Sequence, residues 1–345
     1  MALLLERTYG TTAQSGGRED LSNLIANVDA RSTPFTSMAK KGKKPGNVLM
    51  GWQMDKYEDP AVTGTVDGTD VDMTSASSFS NPATGRALMQ NYAQIFRRVF
   101  RVSSLANEIQ VVAGVKSELA NGIAKKLVEI KRDMEMTFLN DADAQLDAGG
   151  TTPYLTKSMG SFLHAGGTGG GSSDITVPTN FRCTAINTTA SGSLTEALVQ
   201  TLLSTLFTNT GVIRDYDLLL GTSLKRAFTN FTQSVTAGSA GDTASPIKTF
   251  SQDAASKSFI NAIDMFEGDF GRLRLHPSTF IAESGSAVTF KGYAIPFDQV
   301  EIRYGKLPQI KELNDNGGGP ARLIEAVAAL IVDNPKGVGY FNGAS

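Results

Sequence analysis

The chain has 345 residues, 41% of them hydrophobic, and a formal charge of −2 at pH 7. That is enough apolar material for a sizeable core, expected in two lobes, and near-neutrality removes any electrostatic case for nucleic-acid binding by the surface as a whole. A single cysteine, Cys183, excludes an intrachain disulfide framework and suits a reducing compartment. The opening MALLLERTYG lacks the basic start of a signal peptide, and no stretch approaches the roughly 20 apolar residues of a spanning helix, so a soluble chain made in the cytoplasm is expected.

Residues 1–48 are polar, with short apolar patches and a basic cluster at Lys40, Lys41, Lys43 and Lys44. They read as an arm that lies on something else, its lysines either solvated or facing an anionic neighbour such as another subunit or nucleic acid. From 49 to 103, two β-like ends (VLMGWQMDKY and NYAQIFRRVFRVS) flank a middle rich in Gly, Asp, Ser and Thr. That pattern predicts a long two-stranded excursion, and a lone hairpin is marginal in water unless a neighbour supports it.

The most informative stretch comes next. Leu105, Ile109, Val112, Val115, Leu119, Ile123, Leu127, Ile130, Met134 and Phe138 recur every three or four positions, which predicts one long amphipathic helix over 105–140. At about 1.5 Å per residue it would span roughly 50 Å. Ser104 is the expected N-cap, and Glu108, Lys116, Glu118, Lys125, Lys126, Glu129, Lys131, Arg132 and Glu135 make the solvated or partnered face. Gly114 and Gly122 weaken it, leaving open a pair of shorter helices broken near Gly122.

Residues 149–192 form a long polar stretch in which GGTGGGSS suggests a mobile surface loop. It fails the dinucleotide fingerprint, since Ser172 stands where the third glycine belongs, and it carries no P-loop lysine. A helix over 193–209 is signalled by a capping box at Ser193 and Glu196, by Leu194, Leu198, Leu202, Leu203, Leu206 and Phe207, and by Gly211 as its stop. A core strand at 216–220, a short helix at 223–231 and an exposed loop at 233–257 follow. Two hairpins are expected after that: 259–267 with 270–275, and 299–313 with 322–333 around the turn 314–320. No internal repeat is evident.

Material for catalysis is scarce. His164 and His276 are the only histidines, no HxxxH or CxxC spacing exists, and no GxSxG elbow is present. Carboxylate groups at Asp55, Glu58 and Asp59, at Asp67, Asp70 and Asp72, and at Asp264, Glu267 and Asp269 lack the spacing of a calcium loop and read as solvated turns. No catalytic residue, cofactor or metal is expected. Arg97, Arg98 and Arg101, where the excursion meets the long helix, favour bidentate carboxylate partners. The acidic loops of another copy are one candidate, and a solvated strand face is the other.

This order of parts resembles the α+β HK97-like fold of tailed-phage major capsid proteins. The resembling strings are STPFTSMAKKGK with the following WQMD, RVSSLANEI through SELANGIAKKLVEIKRDMEMTFL, EGDFGRLRLHPS and ALIVDNPKGVGYFNG. They are similar to the branch of major head proteins that lack a large N-terminal scaffolding region. The length and glycine content of 149–192 depart from it. The resemblance implies an arm (1–48), an E-loop hairpin (49–103) lying over a neighbouring subunit and a peripheral domain (104–192) with a spine helix (105–140). It further implies a mainly axial domain (193–300) and C-terminal strands (301–345) returning to the core.

It further implies a structural protein, not an enzyme, that self-assembles as hexamers and pentamers into an icosahedral virion head around double-stranded DNA. Its partners would be other copies, a separate scaffolding protein, a portal and a decoration protein, with weak non-specific DNA contact and no membrane. Arg97, Arg98, Arg101, Trp52 and Lys56 are the expected intersubunit contacts, and Lys56 with Asn342 would be the pair for a crosslink of the kind some members form. An encapsulin-like cargo shell, a phage tail or decoration adhesin, and an enzyme built on His164 or His276 stay open as alternatives.

Overall fold

The computed structural model describes residues 32–62, 64–74, 85–108, 117–165, 175–189, 194–231, 251–253, 258–260, 263–281 and 290–343. In chain order it contains α1 (Pro34–Met38), β1 (Lys40–Lys41), β2 (Leu49–Met54), β3 (Ala87–Tyr92), β4 (Gln94–Arg101), α2 (Ser104–Glu108), α3 (Glu118–Phe138) and α4 (Met159–Leu163). The second half adds β5 (Ile186–Asn187), α5 (Glu196–Thr210), β6 (Arg214–Leu220), α6 (Thr222–Phe231), β7 (Ser251–Asp253), β8 (Ser258–Ile260), β9 (Met265–Gly268) and β10 (Gly271–Pro277). It closes with β11 (Phe290–Ile295), β12 (Val300–Leu313), β13 (Ala321–Val332) and β14 (Gly339–Gly343).

Two sheets organise the body. One has the order β1-β12-β13-β4 and the other β5-β14-β11-β6-β10-β9, while β2–β3 and β7–β8 are separate two-stranded ribbons. The long antiparallel pair β12–β13 forms because 321–332 alternates small and branched apolar residues that are buried on the helix-covered face. Its turn passes through Gly317 (φ 91°) and Gly319 (φ 102°), both left-handed and both with amides bonded to Asp315 Oδ1. The six-stranded sheet takes β5 and β14 from segments outside 193–300, so the expected axial region does not contain that whole sheet.

The spine differs from its expected form. The helix covers 118–138, about 30 Å at 1.5 Å per residue, and not 105–140. Ser117 is extended (φ −153°, ψ 118°) and its hydroxyl accepts from the Ala120 amide, so a new helix starts there. Upstream, Ser103 and not Ser104 caps the five-residue α2, accepting from the Ala106 amide at 3.1 Å. Leu105 is exposed, while Ile109, Val112 and Val115 lie outside the described residues. The stripe is real where it packs: Ile130, Met134 and Phe138 are buried. Gly122 breaks nothing; the Phe100 ring lies so close that a Cβ there would overlap its Cε2.

The hairpin differs as well. Its returning strand is β3, in register from Leu49 opposite Tyr92 to Met54 opposite Ala87. Residues 94–101, expected to continue it, instead leave the ribbon and pair with β13 over eight positions. The free edge of β13 needs a partner, and β4 alternates suitably: Phe96 is buried under the sheet while Ile95, Arg97 and Val99 face out. Helix α5 starts at Glu196 after Thr195, whose side chain makes no cap bond, and ends at left-handed Gly211 (φ 69°) as expected. Ser193 of the expected capping box and the glycine-rich 166–173 lie outside the described residues, as does most of 233–257.

Gly122→Ala tests the helix–sheet fit. Overpacking against Phe100 costs about 1–3 kcal/mol and outweighs the roughly 1 kcal/mol gained in helix propensity. The denaturant midpoint should fall; an unchanged or higher midpoint would show that the ring relaxes at no cost.

Candidate assembly surface

The arm was expected to lie on something else, and residues 33–41 lie on their own chain. Pro34 opens α1, fixing the dihedral for the first turn. Phe35 is fully buried, its ring centroid 6.1 Å from Phe138 and 6.0 Å from Phe297. Helix α1 has no acidic residue in its first turn and no side-chain cap of its own. The spine supplies both: Glu135 Oε1 accepts from the Phe35 amide at 2.7 Å and Oε2 from the Thr36 amide at 2.8 Å. Of the two readings left open for its face, solvated or partnered, Glu135 takes the second, and it is buried. Burial pushes its carboxyl above the usual range, and the two amide bonds oppose that shift. Lys40 and Lys41 then form β1, paired in parallel with Glu301 and Ile302 of β12.

The arginine run follows the two-residue period of β4. Arg98 faces the spine and grips Asp133 through two bonds of 2.7 and 2.6 Å, which holds its guanidinium above its ordinary pKa. Arg97 faces the other way and bonds Glu325 at 2.7 and 3.1 Å. Lys306 joins the same carboxylate at 3.0 Å, and hydrogen bonds from Arg97 first and Lys306 second lower the Glu325 pKa. Arg101 is exposed, its guanidinium lying beside Gly318. Two of the three arginines thus have partners inside the chain, where they fasten β4 to α3 and β13. Reversing the charge of Arg98 would strain the fold as well as any contact outside it.

The other expected contacts are scattered. Trp52 is half-buried at the ribbon's base, 6.3 Å from the Phe162 ring, so it anchors the ribbon to the core. Lys56 pairs with Asp59 at 2.8 Å. Asn342 is a half-buried position of β14 opposite Lys291, inside the six-stranded sheet. Beyond the ribbon's base the picture changes: residues 57–62 and 64–74 are exposed throughout, including Tyr57 (96% exposed), Val66 (77%) and Met73 (75%).

Cys183 is buried, its thiol pushed up to about 12 by desolvation and directed at the Val338 carbonyl. His276 Nε2 sits 2.9 Å from Asp217 Oδ1 in a ladder with Arg274–Asp215 and Arg272–Glu267, while His164 caps the far end of α4. Among the described residues no three His, Cys, Asp or Glu side chains are grouped to hold a metal ion, and no helix is long and apolar enough to cross a membrane.

The family model described as SU10 major capsid protein matches residues 6–345. The chain belongs to the SU10 major capsid protein family. The major capsid protein of Escherichia phage Phieco32 is 30% identical to this capsid chain over 145 residues, 42% of the chain. That match spans 38% of the relative's own length. Among solved structures, the capsid of the cyanophage P-SCSP1u aligns over all of both chains with a TM-score of 0.56 and 8% identity. The capsid of Myoviridae phage XM1 aligns over 99% of each chain with 0.55 and 9%. The SrpI encapsulin from Synechococcus elongatus PCC 7942 gives 0.53 and 10% over 94% of this chain and 92% of its own. At such identities the likeness is one of fold, and that fold is HK97-like.

The residues that sequence reasoning missed are Glu135 and two lysine–aspartate pairs beyond the spine. Lys157 is fully buried, bonded at 3.1 Å to both Asp143 Oδ1 and the Ile175 carbonyl, and burial lowers its pKa. Lys291 pairs with Asp141, which also accepts from the Tyr340 hydroxyl at 3.2 Å. The one available signal for Glu135 was the absence of any acidic residue at the start of α1.

Glu135→Ala should release the arm root, because bonds from donors to a charged acceptor contribute about 1.5–3 kcal/mol each. Amide exchange at Phe35 and Thr36 should rise sharply while the β12–β13 amides stay protected. Unchanged exchange at those two amides would contradict the cap.

Proposed function

We propose that this capsid subunit works mechanically, by self-association as hexamers and pentamers into the icosahedral head of a tailed phage around double-stranded DNA. It would be made in the host cytoplasm with a separate scaffolding protein, join a portal and a decoration protein, and end in the virion. The observation that carries this reading is a finished core from which an exposed ribbon projects. Residues 57–62 and 64–74 bury nothing in their own chain, although they include Tyr57, Val62, Val66, Val71 and Met73. Apolar side chains on an exposed segment beyond a two-stranded ribbon are stabilised when a neighbour covers them. A formal charge of −2 suits an inner wall that touches the genome only weakly, since a strongly basic wall would hold phosphate tightly.

Expression of the chain with its scaffold, followed by light scattering and negative-stain microscopy, tests the reading. Closed shells are expected. Monomers or small fixed oligomers alone would contradict it, and shells filled with a co-purifying enzyme would point to a cargo compartment instead.

A further inference from the structure

A cleft of about 380 Å³ opens between the arm root, the spine and β12. Lys41 and Lys131 line it with Thr33, Thr36 and Ser37, and Met134, Tyr304, Leu307 and Pro308 supply its apolar part. Both lysines are exposed, and neither has an ion-pair partner among the described residues. The two sides of the cleft come from different parts of the chain, and they are held together by Glu135 on the Phe35 and Thr36 amides, by the buried Phe35 ring and by the pairing of β1 with β12.

The exposed segment that continues the ribbon carries the opposite pattern. Between 55 and 74 it holds Asp55, Glu58, Asp59, Asp67, Asp70 and Asp72 against the single cation Lys56. Asp55 and Asp59 are paired locally with Arg86 and Lys56, while Asp67 and Asp70 are exposed and unpaired among the described residues. They alternate with exposed Val66 and Val71. Cleft and segment therefore match in two independent respects, lysines to aspartates and apolar lining to apolar side chains.

We propose that the cleft at the arm root receives the Asp67–Asp70 segment of the ribbon from a second copy, with Lys41 and Lys131 as its counter-charges. This rests on the shell reading above and adds to it the receiving surface and an order of events. The contact is heterologous, exposed segment of one copy to cleft of the next, which makes a ring where the rotation between copies closes. Because one wall of the cleft is the docked arm, a subunit offers the receptor only after its own arm root has seated on Glu135. Phosphate of packaged DNA would also be drawn to two lysines, but it has no use for the apolar lining; a second copy's ribbon uses both features.

Charge exchange in the full chain, with scaffold present, tests the pairing. Lys41→Glu with Lys131→Glu, and separately Asp67→Lys with Asp70→Lys, should each lower shell yield about tenfold or more, since like charges brought together at an interface disfavour association. Far-UV circular dichroism and melting temperature should stay those of the unaltered chain. A chain with all four changes should recover shells. If the glutamate pair unfolds the subunit, Lys41→Ala with Lys131→Ala takes its place with the same expected direction.

Undiminished shells from both reversals, or no recovery in the fourfold variant, overturn the pairing and leave the shell reading standing. Normal shell yield with reduced DNA retention in the lysine variants also overturns it, by making the cleft a phosphate site. Failure of the unaltered chain to form shells overturns the shell reading itself.

Discussion

The structure depends on one packed seam, the burial of a single face of α3 against the four-stranded sheet. Ile130, Met134 and Phe138 occupy successive turns of that face, and Phe96 from β4 meets Phe138 edge-on at 6.1 Å. Each such side chain contributes about 1.5–3 kcal/mol when fully buried, so the seam is comparable to the net stability of many domains. Everything that reaches outward from the subunit is referred to it. The arm root is placed by Glu135, one residue from Met134, and the ribbon leaves from β3 one residue before β4 joins the sheet.

The far end of the seam fixes the second sheet. The carbonyl of Leu139, the residue that ends α3, accepts from the Tyr293 hydroxyl at 2.9 Å, and Tyr293 stacks on Tyr340 with centroids 5.3 Å apart. Two residues on, Asp141 holds Lys291 of β11, and Asp143 holds the buried Lys157. Buried ion pairs are poor sources of stability because desolvation offsets their attraction, but removing one partner is costly. Their consequence here is geometric: a short segment after the spine is tied to β11, β14 and α4 at once, so the two sheets share one continuous core. A rigid body of this kind suits a subunit that must present its projections at fixed angles to its neighbours.

Much of this was legible in the sequence because it rests on periodicity. The recurrence every three or four positions through Ile130, Met134 and Phe138 marks the spine, and the continuous apolar run 326–332 marks the buried strand. Gly211 and the 314–320 turn mark their boundaries by the backbone conformations they need. What stayed hidden depends on contacts between distant segments. Ser117 starts a fresh helix although the apolar recurrence runs through it, since periodicity does not register a cap. The split between β3 and β4 follows from the unpaired edge of β13, more than 200 positions away. Arg98 meets both oxygens of Asp133 and Arg97 places two donors on one oxygen of Glu325, so carboxylates of the same chain take up both arginines. Glu135 sits on a face that read as solvated or partnered; its partners are two backbone amides, which leave no trace in composition.

The central claim is that the body is complete in one subunit while the ribbon and the arm-root cleft are completed by another. Hydrogen exchange followed by mass spectrometry on free subunits and on assembled shells measures this directly. Peptides from 49–74 and 85–92, together with those carrying Lys41 and Lys131, should gain protection on assembly, whereas β6, β11 and β13 should exchange slowly and alike in both. Protection gained across β6, β11 and β13, with the ribbon unchanged, would contradict the account.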